Sequence, residues 1–426
     1  MIMDYKDSGI EWIGRIPKDW KVVPHKRLMK KVKELCPKYK GENIISLTMN
    51  GVIVRDLNAG GKMPTSFDGY QYVHSGNLLM CLFDIDVTPR CVGLIQNEGL
   101  TSPAYSQFKV FKDVYGPYYN YLLRYMDDEK CLLHLSKNLR SSLTEEDFGQ
   151  IPTIFPPFSL QQRIADYLDV KCSEIDGLIV LQEQMIEKLK AYKLSVITEA
   201  VTKGIDPNVK LIASGIDWIQ DIPEGWEVKK IKYIADKIFK GNGITKEEVF
   251  SDGDSPCVRY GEIYSKYNQS FKTCISATNI GIQKSPQYFH YGDILCAGTG
   301  ELVEEIGKSV VYLGNQTCLA GGDIIVIQHQ QNPSFLNYAL NSNYAQTQKS
   351  KGKAKLKVVH ISAFEIGSTY ILLPPLSEQQ IIASYLNEKC ADIDRLIEMK
   401  QQKIKKLKDY KKSVIYEAVT GKIDII

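Results

Sequence analysis

Two short stretches of the 426-residue chain carry the residue types that bind polyanions. In Ser136-Lys137-Asn138-Leu139-Arg140-Ser141-Ser142, the side chains of Lys137, Asn138 and Arg140 stand among hydroxyls just ahead of a helix-start signal. Lysine and arginine neutralise phosphates, and arginine and asparagine pair with base edges. In the second stretch Lys349, Lys351, Lys353, Lys355 and Lys357 alternate with other residues. An extended segment would turn all five to one side and make a phosphate rail. The same pattern also suits an exposed edge strand guarded by lysines. A third candidate is the loop Asp84-Ile85-Asp86-Val87-Thr88-Pro89-Arg90, with Thr88 as a hydroxyl donor and Arg90 able to fork onto a guanine.

Signals for catalysis are weaker. Phe155-Pro156-Pro157-Phe158 is similar to the Asn/Asp-Pro-Pro-aromatic motif of adenine methyltransferases, whose polar first residue accepts hydrogen bonds from the amino group being methylated. Here that position is Phe155, and Leu373 where the motif recurs, and an apolar side chain cannot accept. The segment reads as a helix-entry turn. Gly298-Thr299-Gly300 and Gly321-Gly322 are too short for a nucleotide loop, and there is no Walker A pattern. The six histidines lack metal-ligand spacing, and no nucleophile–base set or nuclease carboxylate–lysine cluster stands out. The expectation is a binding protein with no catalytic residues, no metal and no cofactor of its own.

The elements that must position these stretches are written twice. Pro156–Leu168 returns as Pro374–Leu386, and Tyr192–Thr202 as Tyr410–Thr420, at a constant offset of 218 residues. Such a match marks a duplication. Each copy reads as one long helix: the Pro-Pro pair precludes helix before it, Ser159 and Ser377 suit an N-cap, and Gln162 and Gln380 complete a capping box. A heptad seam runs through Ile175, Leu178, Gln182, Met185, Leu189, Tyr192 and Val196, and in the second copy through Ile393, Leu396, Lys400, Leu407, Tyr410 and Val414. Ile179, Ile186, Ile397 and Ile404 lie beside the seam and are expected to dock partner subunits. Gln182 and Lys400, polar at the same seam position, either fix register or are tolerated slips.

A second repeat opens each half. Ser8–Trp20 recurs as Ser214–Trp226 at an offset of 206, and holds all four tryptophans: Trp12, Trp20, Trp218 and Trp226. Paired tryptophans around a proline turn suit a packing clip. The expected organisation is a clip over 1–21, an insert over 22–155 and a helix over 156–206, then a clip over 207–227, an insert over 228–373 and a helix over 374–426. The inserts hardly resemble each other in sequence. Both read as mixed α/β domains with a curved, mainly antiparallel sheet, each closing with a short capped helix at Thr144 or Ser362. The fold class is α+β, with two such domains separated by two long helices in an antiparallel coiled coil, a pseudo-two-fold tandem repeat. Because both basic stretches fall just before those closing helices, DNA is favoured over edge protection.

The totals agree with this organisation. The length calls for more than one domain. No apolar run approaches the roughly 20 residues that span a bilayer, and the charged start is not a signal peptide, so no membrane partner is expected. The ten cysteines contain no Cys-x-x-Cys, as suits reduced thiols in a cytoplasmic protein. Net charge is +3, with 16 Lys/Arg against 14 Asp/Glu in residues 22–155 and 16 against 12 in residues 228–373. Both inserts are mildly positive, which permits DNA binding without requiring it.

Two divergent domains, each followed by Pro-Pro-x-Ser-x-Gln-Gln-x-Ile-Ala-x-Tyr-Leu and a long helix, resemble the specificity subunit of a bacterial type I restriction–modification system. Phe83–Arg90 and Gly99–Tyr105 in the first insert add to the resemblance, which covers essentially the whole chain. It implies two target-recognition domains, each reading one half of a split, asymmetric site in double-stranded DNA. It also implies docking of two methyltransferase subunits, which carry S-adenosylmethionine, and of restriction subunits that cleave. Base-contacting residues do not transfer from the family one by one. The rival expectations are a stand-alone DNA methyltransferase or nuclease, and a coiled-coil structural adaptor without DNA contact.

Overall fold

The structure, a computed structural model, describes residues 4–59, 64–136, 141–216, 219–300, 302–353 and 359–425. The chain divides into two compact units. One holds residues 1–183 and 402–426, the other residues 184–401. The long helices Phe158–Lys203 and Leu376–Val419 therefore each contribute a segment to both units.

The first unit is built on an antiparallel sheet in the order Met29–Val32, Ser106–Val110, Leu78–Met80, Val92–Leu94. The strands Leu78–Met80 are buried on both faces, because helix Gly116–Asp128 covers one side with Tyr118, Leu122 and Met126. In the second unit the sheet runs Ala235–Lys240, Ile324–His329, Ile294–Ala297, Ser309–Tyr312, with Ser270–Phe271 added in parallel at the edge. Helix Pro333–Asn341 covers it with Phe335, Leu336 and Leu340. The two inserts share a strand order that their sequences do not display. In each, a short helix capped by Thr144 or Ser362 leads into a strand that pairs antiparallel with the strand after the clip: Pro152–Phe155 with Lys21–Pro24, and Tyr370–Leu373 with Glu227–Lys230.

The long helices start two residues earlier than the capping-box expectation, at Phe158 and Leu376. The carbonyl of Pro157 accepts from the N–H groups of Leu160 and Gln161, and that of Pro375 from Glu378 and Gln379. The buried anchoring side chains are Gln161 and Gln379, while Gln380 accepts from the Asn332 side chain (2.7 Å) instead of closing a capping box. Gln161 donates to the Pro156 carbonyl (2.8 Å) and accepts from the N–H of Tyr115 (2.8 Å); Gln379 does the same with Pro374 (2.8 Å) and Asn332 (3.0 Å). Both glutamines are buried, so each helix start is bonded to the turn that opens its insert's covering helix.

The two helices pack together antiparallel. The seam, however, is rotated relative to the expectation. Ile175, Gln182, Leu189 and Val196 face inward, but Leu178, Met185 and Tyr192 are 44%, 45% and 59% exposed. The second inward column is Cys172, Ile179, Ile186 and Lys193. Ile179 and Ile186 are therefore seam residues, as are the half-buried Ile397 and Ile404, and they are not free to bind a partner. The offset copy agrees: Cys390 and Ile393 are buried, Lys400 and Leu407 half-buried and Val414 buried, while Leu396 and Tyr410 are exposed. Lysine pairs accompany the rotation. Lys193 buries its stem and donates to both oxygens of Asp394 (2.7 Å each), and Lys411 does likewise with Asp176 (2.7 and 2.6 Å). These pairs are equivalents at the 218-residue offset, with the roles of the helices exchanged. Their carboxylates are more than a third exposed, so each pair contributes at most about 1 kcal/mol and serves mainly to fix register.

The clips close the helix ends. Trp20 is buried against the end of the second helix, and its burial contributes roughly 5 kcal/mol gross. Gly421 takes φ +71°, and a Cβ there would meet Pro17 and Trp20 at 2.7–2.8 Å, so both conformation and space demand glycine. Trp226 donates to Glu378 (3.1 Å) in the second unit. Trp218 lies outside the described residues. Among the described residues no helix is long and apolar enough to cross a membrane.

Candidate nucleic-acid interface

In the first unit the Phe83–Arg90 loop is bonded to Ser141, near the end of the first basic stretch. The core strand Leu78–Met80 runs out into the Phe83–Arg90 loop, whose Ile85 is buried in the core. The N–H of Ile85 donates to the Ser141 carbonyl (3.2 Å), and that of Leu143 to Leu82 (2.8 Å). Thus Ser141, within the stretch, is bonded to the loop, and Leu143, just after it, to the residue that leads into the loop. Lys137, Asn138 and Arg140 themselves lie outside the described residues.

The second unit repeats the arrangement. Strand Ile294–Ala297 leads into Gly298-Thr299-Gly300, which pairs with Val359–His360 just after the lysine run. The N–H of Ile361 donates to the Gly298 carbonyl (2.9 Å), and the Thr299 hydroxyl lies 3.0 Å from His360 Nδ1. Sequence reading missed Thr299 and His360 as neighbours of the basic run. One local signal is glycine: a Cβ at Gly298 would meet the Asp323 carbonyl at 2.9 Å.

Burial corrects several candidate contacts. Arg90 is 7% exposed, and its guanidinium pairs with Asp127 (3.1 Å) and Asp128 (2.9 Å), so it cannot fork onto a base. Thr88 is half-buried and donates to the Phe83 carbonyl (3.4 Å). Lys349 is buried and donates to the carbonyls of Gly307 (2.8 Å) and Leu340 (2.9 Å), with burial lowering its pKa to about 8. It ties helix Asn343–Ser350 to the core instead of joining a rail. Lys353 donates to His360 O (2.6 Å) and pairs with Glu365 (2.8 Å). Lys351 is exposed, whereas Lys355 and Lys357 lie outside the described residues. The expected five-lysine rail is thus interrupted at its start, because buried carbonyls and a carboxylate claim two of the ammonium groups.

Among the described residues no group of three His, Cys, Asp or Glu side chains could hold a metal ion. The arrangement offers loops carried at the ends of central sheet strands, a form suited to presenting side chains to a binding surface.

The comparisons with known proteins agree with this architecture. A family model described as the type I restriction modification DNA specificity domain matches residues 223–409. The type I restriction enzyme MjaVIII specificity subunit of Methanocaldococcus jannaschii is 26% identical over 293 residues, covering 65% of this chain and 63% of that protein. The putative type I restriction enzyme MjaX specificity subunit of the same organism is 27% identical over 315 residues, covering 72% and 68%. The alignment thus spans less than two thirds of the first relative's length. A chain solved in work on complex assembly and conformational transition of the type I R-M system matches with a TM-score of 0.70 at 15% identity, over 96% of this chain and 99% of that one. The HsdS subunit from Thermoanaerobacter tengcongensis matches with a TM-score of 0.50 at 16% identity, over 96% and 98%. At such identities the structural likeness shows the fold. The chain is thus similar in sequence, over part of its length, to type I restriction enzyme specificity subunits, and similar in fold to the solved chains named above.

Proposed function

We propose that this protein is the non-catalytic DNA-reading subunit of a type I restriction–modification complex in the bacterial cytoplasm. Each insert reads one half of a split, asymmetric site in double-stranded DNA. Two methyltransferase subunits, carrying S-adenosylmethionine, dock on the long helices, and restriction subunits join where cleavage follows. The observation that carries the reading is the repeated build: two inserts of unlike sequence but common strand order, each presenting the same pair of adjacent loops beside a duplicated helix pair. Constant frame with divergent loops is what reading two different half-sites requires.

Docking is assigned to the exposed apolar side chains that the rotated seam leaves outside. Leu178, Leu181 and Tyr192 are 44%, 50% and 59% exposed, and their equivalents Leu396, Met399 and Tyr410 are 45%, 58% and 56% exposed. Two matching apolar sets suit two copies of one partner. Replacing Leu178 and Leu181 by aspartate should prevent one methyltransferase subunit from copurifying while leaving the melting temperature nearly unchanged. Ile179→Asp should instead lower the melting temperature, since it buries a charge in the seam.

The decisive experiment exchanges residues 22–155 for the corresponding insert of a related subunit and reads the methylation pattern of a host carrying the complex. One half of the motif should change and the other should persist. Change in both halves would refute the two-module reading, and S-adenosylmethionine binding by the isolated chain would favour a stand-alone methyltransferase.

A further inference from the structure

The Phe83–Arg90 loop uses its own charge in an unusual way. Asp127, 3% exposed, accepts from the Arg90 guanidinium (3.1 Å) and the N–H of Cys91 (2.9 Å), and lies 3.6 Å from Lys130. Lys130, in the left-handed region at φ 53°, reaches the carbonyls of Ile85 (3.4 Å) and Thr88 (3.3 Å). The Asp84 carbonyl accepts from the N–H groups of Val87 and Thr88, closing the turn. Two cations and a buried carboxylate are thus turned inward to hold one loop. What the loop turns outward is Phe83, Asp86, Val87 and Pro89, and Val87 at 73% is the most exposed large apolar side chain among the described residues of this unit.

That presentation selects the kind of DNA feature it can meet. No cation points out of the loop, and the exposed Asp86 repels phosphate, so the tip does not belong on the sugar–phosphate backbone. An apolar tip held rigid beside the Ser141 segment fits the groove floor, where the one apolar feature of a base edge is the 5-methyl group of thymine. Isolated exposed valines are ordinary on protein surfaces. This one differs in standing on a turn held by the Arg90, Asp127 and Lys130 contacts.

We infer that Val87 is a specificity-determining residue that packs on a thymine methyl group in the first half-site, on a loop positioned by Arg90, Asp127 and Lys130. The inference rests on the DNA-reading function proposed above. Its test uses the complex with its methyltransferase subunits and a duplex carrying the motif found by methylation sequencing. Each thymine of the first half-site is replaced in turn by deoxyuridine, which lacks only the methyl group. Wild-type complex should lose affinity roughly fourfold at one position, the worth of one buried methyl. Val87→Ala should bind the thymine and deoxyuridine duplexes alike at that position and keep the wild-type preference at all others. Lys130→Met, with an unchanged melting temperature, should blunt the same discrimination, since it frees the loop without touching its tip. Discrimination at every thymine that survives Val87→Ala overturns the inference while leaving the specificity reading intact, as does a first half-site without thymine on either strand. A wild-type complex that does not prefer its motif to a scrambled duplex overturns both.

Discussion

His25 should make the first unit sensitive to acid in a way that one substitution removes. The residue is 0% exposed, neither ring nitrogen has a hydrogen-bond partner, and the ring stacks on Phe148 at 4.5 Å between centroids. Burial lowers its pKa from 6.5 to about 3, so the imidazole is neutral in the folded protein. Its equivalent at the 206-residue offset is Ile231, also fully buried, which shows that the site asks for an apolar side chain. Below about pH 6.5 the unfolded chain takes up a proton that the folded chain refuses until about pH 3, so stability falls as pH falls through that window. At pH 4.5, about two pH units into the window, the loss is roughly 3 kcal/mol. Urea denaturation of wild type and His25→Ile at pH 7 and pH 4.5, followed by tryptophan fluorescence, measures it. The variant should be no less stable at pH 7, because it removes unpaired polar atoms, and should lose about 3 kcal/mol less than wild type on acidification. An equal acid loss in both proteins would refute the assignment of a neutral, buried imidazole.

The termini and the helices give two more tests. Tyr5 donates to the Gly421 carbonyl (3.2 Å), and Asp4, Asp424 and Ile425 line one cavity of about 400 Å³, so joining Ile426 to Met1 and opening the chain near Asp206–Asn208 should yield a subunit that still folds and supports methylation; loss of the cooperative melt would count against it. A four-residue insertion near Gln182, matched by one near Lys400, lengthens each helix by about 6 Å, and the non-specific spacer of the methylated motif should grow by one or two base pairs. An unchanged spacer would mean that the helices do not set the gap.

The repeat determined the most from sequence alone. The offset of 218 residues located both long helices, because a duplicated scaffold keeps the residues that pack. Threonine and serine at 144 and 362 likewise announced their helices, since a cap is a local bond between near neighbours. The sense in which the helices turn was not legible. Leu178, Met185 and Tyr192 form as good a column as Ile179, Ile186 and Lys193, and adjacent columns lie only about 100° apart. The choice between them is made by partners far away in the chain: the facing helix that buries Ile179 and Ile186 and supplies Asp394 to Lys193, 201 residues away. Charge misled for the same reason. Arg90 and Lys349 have the composition of DNA contacts, yet a carboxylate at 127 and carbonyls at 307 and 340 hold them inside. A residue's type states which partners it can satisfy, and the tertiary structure decides which of them is within reach.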